Sequence, residues 1–202
     1  MKSSEAEIQP ILGTSMGGGF YAGRVRVGAD VFALILAPKA DGEITGPWSA
    51  SSKNVEGADS YFDGVANTLA MAGADSELAL AARALRVGDC DDWYIPSQDE
   101  LEIIYRNLKP TTDKNSHYGR SGLNASAVTP TYPYTPTEPA QTLADVFQAG
   151  GAEAFEGEWY WSSTQRASNS DFAWSQYFSH GTQSFFLKSH EGRARAVRRL
   201  PI

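Results

Sequence analysis

The strongest alternation of apolar and polar residues lies near the C-terminus, between residues 159 and 199. Its two registers differ in chemistry, with Trp174, Gln176 and Phe178 in one and Ser175, Tyr177 and Ser179 in the other. A period of two residues indicates a half-buried β-strand. Turn residues follow at 179–182, a second strand is predicted from Gln183, and the closing RARAVRR predicts a last strand.

Earlier in the chain, the hydrophobic pattern predicts a hairpin followed by helices. The runs FYAGRVRV and DVFALILAP are joined by a Gly-Ala-Asp turn, which favours an antiparallel pair. Helical spacing of Ala, Leu and Met predicts one helix capped by Asp63 and a second capped by Asp75 or Ser76. These helices are expected to pack on the sheets through their apolar residues.

The clearest helix signal begins at Ser97. Ser97 and Glu100 have capping-box spacing, and apolar residues recur at helical spacing until Pro110 ends the helix. Capping and the helix dipole explain the carboxylates of the first turn better than a catalytic pair does. Residues 111–139 have little periodicity and predict a long surface loop, and PAQTLADVFQAG after it predicts a short helix.

The terminal alternation predicts a buried side and an exposed side. The buried side consists of Trp161, Trp174, Gln176, Phe178 and Gln183. The exposed side mixes hydroxyl, amide, imidazole and aromatic groups at Arg166, Ser168, Asn169, Ser170, Asp171, Phe172, Ser175, Tyr177, Ser179, His180, Thr182, Ser184, Phe186, Ser189 and His190. Such a mixture is typical of a paratope, because aromatic side chains give rigid contact area and small polar ones adaptable hydrogen bonds. The ordinary polar face of a two-sheet protein is the alternative, and composition alone favours it.

Several motifs carry a resemblance to a known family, namely WYWSST, AWSQYF followed by GTQ and LKS, RARAVRR, and upstream DGVANTLAM, DWYIPSQDELEIIYRNLKP and PAQT. In combination they resemble the variable proteins of diversity-generating retroelements and their phage tail relatives, over residues 17–202. The resemblance implies an α+β, C-type-lectin-like fold, with mixed small antiparallel sheets, two main helices and long surface loops. It also implies a variable region at about 160–193, with Tyr132 and Tyr134 of the long loop as second-rank binding candidates.

The residue types on the exposed side can be checked against this resemblance. In that family, adenine-directed change rewrites Asn codons, and such change cannot yield Lys, Gln, Glu, Met or Trp. None of these five types occupies the fifteen exposed-side positions named above. Five of these residues are expected to lie together on one solvent-facing surface, namely Arg166, Phe172, Tyr177, His180 and Phe186.

The length of the chain limits the number of domains, and its charge limits the class of partner that it can bind. A chain of 202 residues fits one domain, for which we predict the range 17–202, preceded by a tether at 1–16 and a flexible joint at the glycines 17–19. The net charge is −7, so nucleic-acid binding is disfavoured. The four arginines between 193 and 199 are expected to pair with carboxylates. No apolar run is long enough to predict insertion into a membrane.

Catalytic and metal chemistry is not predicted. The resemblance implies the branch of the C-type-lectin fold shared with formylglycine-generating enzymes, which work through paired active-site cysteines. Cys90 is the only cysteine here, so that pair is missing, and the three histidines have no metal-ligand spacing. We therefore expect no enzymatic activity, no cofactor and no transition-metal site. Acidic clusters at 89–92 and 153–158 lack EF-hand spacing, so bound calcium is not expected, and a calcium ion bound there would be structural.

The resemblance implies a ligand- or receptor-binding protein with a diversified face, displayed on a phage tail fibre or a similar structure. Its expected partners are a protein or glycan receptor on a target cell surface and, through the N-terminal segment, a tail-fibre or other display protein. No signal peptide or lipobox is recognisable, which fits a virion protein or a prophage-encoded one made in the bacterial cytoplasm. The alternative is a non-diversified adhesin or tail structural module of the same fold.

Overall fold

The computed structural model describes residues 10–202, which form two β-sheets with helices packed on them. The strands are β1 (Ser15–Met16), β2 (Gly19–Val27), β3 (Asp30–Leu36), β4 (Glu43–Pro47), β5 (Trp159–Gln165), β6 (Phe172–Tyr177), β7 (Gln183–Leu187), β8 (Glu191–Arg195) and β9 (Val197–Pro201). The helices are α1 (Lys39–Gly42), α2 (Gly64–Gly73), α3 (Glu77–Ala84) and α4 (Gln98–Leu108), with one 3₁₀ turn at Asp145–Phe147. The fold class is α+β, as predicted. Within the described part of the chain, no helix has both the length and the hydrophobicity needed to cross a membrane.

The two sheets divide the terminal strands between them. One sheet has four strands in the order β1-β2-β3-β9, and the other has five in the order β4-β8-β5-β6-β7. Neighbouring strands are antiparallel except for β5 and β8, which pair in parallel. The predicted hairpin is β2 and β3, and it lies in the sheet that neighbours β5 to β8. β9, the last of the terminal strands, pairs with β3 of the hairpin and so belongs to the hairpin's own sheet.

The closing RARAVRR is two strands, not the single strand that was predicted. β8 ends at Arg195 and β9 begins at Val197, so the chain changes sheet at Ala196. Ala196 is buried, donates its backbone N–H to the carbonyl of Gly42 and accepts the N–H of Ala37, each at 2.9 Å. Because both backbone groups of this residue are bonded at the junction, neither ladder continues through it.

Helix α4 contacts strands of both sheets, because it packs against β2, β5 and β6. Its predicted capping box is confirmed. The hydroxyl of Ser97 accepts the backbone N–H of Glu100 at 3.4 Å, and the Glu100 carboxylate accepts the N–H of Ser97 at 2.7 Å. Every residue of α4 is buried, including its acidic and basic side chains.

The loop at residues 111–139 covers the polar side of α4. Asn124 donates its side-chain amide to the carbonyl of Asp99 at 2.9 Å, and Arg106 donates to the carbonyl of Gly122 at 3.0 Å. Burial is the main cause that raises the pKa of Asp99, although Ser126 and Arg120 oppose the shift. The long loop is thus attached to the core by polar contacts rather than lying free on the surface.

Helices α2 and α3 pack on β5 and β4 beside the anchor residue Trp48. Asp63 and Ser76 each accept a backbone N–H in the first turn of their helix, so both predicted caps are confirmed. Trp48 is fully buried and donates its indole N–H to the carbonyl of Ser162 at 2.9 Å. This contact fixes β5, which carries part of the candidate site.

Gly17 and Gly18 form a tight turn between β1 and β2, and Gly19 begins β2, so the prediction of a flexible joint at these glycines is wrong. Gly17 and Gly18 have positive φ angles of 57° and 83°, which suit a two-residue hairpin turn. A Cβ at Gly19 would lie 2.2 Å from the carbonyl oxygen of Leu36. Glycine is therefore required at this position by close contact with β3.

The ordered domain begins before residue 17. Of the predicted tether, residues 10–16 pack on the domain through β1, and residues 1–9 lie outside the described residues. The short helix predicted at 139–150 is reduced to the single 3₁₀ turn. No side chain caps its start, and two glycines follow it, which accounts for its short length.

A candidate ligand-binding face on the five-stranded sheet

The five residues predicted to be buried are buried, but Trp161 projects to the same side of the sheet as its cross-strand partner Ser175 and not to the side of Trp174. Trp161, Trp174, Gln176, Phe178 and Gln183 are all buried, and the most accessible of them is 8% exposed. The two amides have polar partners in the interior, because Gln183 accepts the side-chain N–H of Gln98 and Gln176 donates to the carbonyl of Gly181. Buried hydrogen bonds of this kind fix the register of β6 and β7 and therefore decide which side chains face outward.

Five aromatic rings form a continuous row on the outward side, which we call the aromatic ridge. In order they are His180, Tyr177, Trp159, Phe186 and His190, with successive ring centroids 4.8, 5.1, 4.8 and 6.4 Å apart. All five are at least partly exposed. Trp159 and Tyr177 are cross-strand partners of β5 and β6, which places them on one face. The expectation that Tyr177, His180 and Phe186 share a surface is confirmed.

The turn at one end of the ridge is held against the core. Gly181 is buried with a φ of 78°, and a Cβ there would lie 2.5 Å from the ring of Tyr105 and 2.6 Å from the hydroxyl of Tyr134. The hydroxyl of Thr182 lies 2.9 Å from Nδ1 of His180. Only glycine fits the close approach at position 181. The contact with Thr182 gives the imidazole of His180 a defined position beside Tyr177.

A cleft of about 190 Å³ opens on the same face, with Trp159 and Phe186 of the ridge among its walls. Its lining residues are Trp159, Trp161, Ser175, Phe186, His190, Glu191 and Gly192. A Cβ at Gly192 would lie 2.4 Å from Nε1 of Trp161, so glycine is needed for this indole to lie where it does. The indole Nε1 is buried and has no hydrogen-bond partner within residues 10–202.

Ser175 was predicted to face solvent, but it is only 3% exposed. It follows the expected parity and lies on the ridge side of β6, opposite Trp161. The rings of Trp159 and Phe186 on the flanking strands meet at 4.8 Å, and the small serine lies with them in the wall of the cleft. Ser175 is thus a lining residue of the cleft and not an exposed contact residue.

Phe172 and Arg166 do not lie on the ridge, and their predicted position is wrong. Phe172 differs from Trp174 by two residues, so both project to the opposite side of β6. There Phe172 packs on Phe185 at 5.5 Å between centroids, and the guanidinium of Arg166 lies 3.7 Å from the centroid of the same ring. These residues form a second, separate patch at the sheet edge.

The other predicted binding residues lie in turns or beside the ridge. The partly or fully exposed members of the β5–β6 turn are Ser168, Asn169, Ser170 and Asp171. Ser179, Thr182 and Ser184 are partly exposed, and Ser189 is exposed in the β7–β8 turn. Of the second-rank tyrosines, Tyr132 is exposed, whereas Tyr134 packs between α4 and the turn after β6, with its hydroxyl donating to the carbonyl of Ser116.

Sequence reasoning missed Trp159, Glu158 and Glu191 as members of this face. Trp159 has the same parity in β5 as Trp161, which was predicted to lie on the buried side, so parity alone pointed away from the exposed face. Its contact with Tyr177 depends on β5 and β6 being neighbours, and local spacing does not specify that pairing.

Lys188 is a buried lysine within the stretch that was predicted to be variable. It is 1% exposed, lies 4.6 Å from the centroid of a Trp48 ring, and donates to the carbonyl of Lys53 at 3.0 Å. Burial lowers its pKa to about 8, against the opposing effect of Asp171. Lys188 therefore belongs to the scaffold that positions β7 and not to the exposed face.

The closing arginines pair with carboxylates, as expected. Arg193 contacts Glu43 at 3.1 Å, Arg195 contacts Glu153, Arg198 contacts Asp92 at 2.6 Å, and Arg199 contacts Glu100 at 2.7 Å. Across residues 10–202, no group of three or more His, Cys, Asp or Glu side chains is arranged to hold a metal ion.

Comparison with known proteins identifies one family. The family model described as the Lcl C-terminal domain matches residues 47–198. This range contains α2 to α4, β5 to β8, the aromatic ridge and the cleft. No curated protein and no solved structure matches the chain.

Proposed function

The chain belongs to the family of Lcl C-terminal domains, and we propose that it is a lectin-like ligand-binding domain whose contact surface is the aromatic ridge. Membership of this family supports ligand binding in general terms. The choice of the ridge rests on the observation that five rings lie in an unbroken row on an outward face. Aromatic side chains supply much of the binding energy at protein interfaces, because they bury large areas with few rotatable bonds.

We further propose that the ridge and its flanking turns are diversified. Of the fifteen positions predicted for the exposed side, all except Ser175 are at least partly exposed. The other buried positions between residues 166 and 190 are Ala173, Trp174, Gln176, Phe178, Gly181, Gln183 and Lys188. Four of these seven are Trp, Gln or Lys, which adenine-directed change of an Asn codon cannot produce, whereas none of the fourteen exposed positions has such a residue. This contrast supports a division of the stretch into variable contacts and a constant scaffold.

The genome offers a direct test of diversification. We expect a near-copy of the DNA that encodes residues 160–202 to lie beside a reverse transcriptase gene, with adenines at the codons of the exposed positions. Sequencing the locus and its neighbourhood decides this. If no such copy exists, a non-diversified adhesin or tail structural module of the same fold is the better description.

We also propose that this domain recognises a protein or glycan on a target cell surface. It would be carried on a phage tail or a comparable display structure. An acidic protein with a net charge of −7 is poorly suited to bind nucleic acid, which supports a receptor of another class.

A combined variant tests the ridge. We expect the triple substitution Tyr177→Ser, His180→Ser and Phe186→Ser to abolish binding to ligands selected from a displayed peptide library or a glycan array, because it removes three of the five rings. The melting temperature is expected to fall by no more than about 5 °C, since surface substitutions usually cost up to about 0.5 kcal/mol each. Binding is measured by biolayer interferometry and stability by circular dichroism.

A matched control removes exposed apolar residues elsewhere. Ile11, Leu143 and Val146 are all exposed and lie outside the ridge. Their joint replacement by Ser is expected to leave binding unchanged. The proposed contact surface is wrong if this control variant loses binding, or if the ridge variant keeps it.

A further inference from the structure

We infer that the cleft beside Trp159 accepts a cationic side chain, lysine or arginine, from a protein ligand. This inference rests on the proposed function, because it names the chemistry of the group that one part of the binding face recognises. Three observations carry it, namely the arrangement of the aromatic walls, the two carboxylates at the rim and an unpaired donor in the lining.

The aromatic walls enclose a corner rather than forming a stack. The rings of Trp159 and Phe186 meet at 66° with centroids 4.8 Å apart, and those of Trp161 and Phe186 meet at 78° with centroids 6.4 Å apart. Rings inclined in this way can present π faces or edges to one enclosed group. A cation within about 6 Å of such a ring centroid is attracted by the ring quadrupole, most strongly by Trp.

Two carboxylates without ion-pair partners flank this corner. Glu191 lines the cleft, and Glu158 lines an adjoining cavity of about 320 Å³ that shares Trp159, Glu191 and Gly192 with it. Both glutamates are exposed, and neither forms a salt bridge within residues 10–202. Arg193 also lines the adjoining cavity and interacts with the charge of Glu158, but its ion-pair partner is Glu43, at 3.1 Å. The charges left unpaired at the rim are therefore negative.

The acidic surroundings extend this preference. With a net charge of −7 on the whole chain, the protein as a body attracts cations and repels anions. An aromatic corner with unpaired carboxylates at its rim is complementary to a methylene chain that ends in an ammonium or guanidinium group. Sulfated or phosphorylated ligands would meet like charge at Glu158 and Glu191.

The lining of the cleft also holds a donor without an acceptor. Nε1 of Trp161 is buried beside Gly192 and has no hydrogen-bond partner among the described residues. A buried unpaired donor costs free energy, so an oxygen atom supplied at this position would stabilise the protein. A peptide brings carbonyl oxygens together with its basic side chain, whereas a simple amine does not.

Titration with small probes tests the inference. The probe is Nα-acetyl-lysine N-methylamide, and its neutral match is the norleucine compound, which has a similar chain without the ammonium. We expect saturable shifts of the Trp159 and Trp161 indole N–H signals in ¹H–¹⁵N NMR spectra with the lysine compound, and affinity about tenfold weaker with the norleucine compound. Glu191→Gln and Glu158→Gln should each weaken lysine binding up to about fivefold.

Asp30→Asn provides the matched charge control. Asp30 is exposed, has no ion pair among residues 10–202 and lies at the β2–β3 turn of the other sheet. This variant makes the same change in net charge and should bind the lysine compound as the parent protein does. If it weakens binding as much as Glu191→Gln does, the general charge of the protein is responsible and the cleft assignment is overturned.

Other outcomes also overturn the inference. Equal binding of the norleucine compound would make the cleft an apolar site, and indole shifts with methyl glycosides but not with lysine would make it a sugar site. Absence of any shift with the lysine compound would exclude a cation site. In each case the ridge variant still reports separately on the proposed function. If that variant loses binding to the array, the ridge stands as the contact surface whatever the cleft accepts, and if the variant keeps binding, the ridge is rejected.

Discussion

Replacing Phe178 by Ala is expected to lower the free energy of unfolding by about 3 to 5 kcal/mol, as large-to-small changes in protein cores do. Phe178 is fully buried and lies at the meeting point of three rings. It stacks on Phe155 with centroids 3.9 Å apart and meets Tyr160 and Tyr105 edge-on at 5.1 and 5.7 Å. The cavity left by alanine would remove contacts with all three neighbours at once.

The adjacent residue supplies the control for this prediction. Tyr177 is partly exposed on the aromatic ridge, so Tyr177→Ala is expected to cost less than about 1 kcal/mol. Urea denaturation followed by circular dichroism measures both variants. Equal losses in the two variants would mean that the buried and exposed sides of β6 are not separated as described.

Much of the site could be predicted because strand alternation is a local property. A period of two residues decides that Trp174 and Gln176 project to one side of β6 and that Ser175 and Tyr177 project to the other. The same rule places Phe172 with Trp174, so the expectation that Phe172 would lie on the exposed side with Tyr177 departed from the alternation.

The composition of the ridge could not be predicted, because it depends on strand order. Trp159 completes the ridge since β5 lies next to β6 in the five-stranded sheet, and Phe186 contributes from the other neighbour, β7. Strand neighbours are set by long-range packing, which leaves no local signal in the sequence. Glu158 and Glu191 are brought together across Trp159 by the same topology, through the parallel pairing of β5 and β8.

The pairing of the closing arginines shows a similar limit. Composition predicts that the arginines pair with carboxylates, but only the fold determines which carboxylate each arginine contacts. Because the chain changes sheet at Ala196, Arg195 is directed toward Glu153 whereas Arg199 is directed toward Glu100 of the α4 cap. The change of sheet depends on backbone bonds to Ala37 and Gly42, which are far away in sequence.

Replacing Arg199 by Met is expected to cost about 3 to 5 kcal/mol, because it leaves a buried carboxylate without its cation. Glu100 is fully buried, and Arg199 donates to it at 2.7 Å. After the change, Glu100 would keep only the hydroxyl of Tyr94 and the backbone N–H of Ser97 as partners, at 2.6 and 2.7 Å. Arg198→Met is the control on the same strand. Its partner Asp92 is half exposed, so the expected cost is about 1 kcal/mol.

A second substitution separates lost charge pairing from lost packing. Glutamine can take the place of glutamate in a capping box, so Glu100→Gln should keep the start of α4 while removing the buried charge. We therefore expect the double variant Glu100→Gln, Arg199→Met to recover part of the stability that Arg199→Met loses, measured by urea denaturation at pH 7. If the double variant is no more stable than the single one, the loss comes from the packing of the arginine stem. The carboxylate at the α4 cap would then not depend on Arg199 for its place in the core.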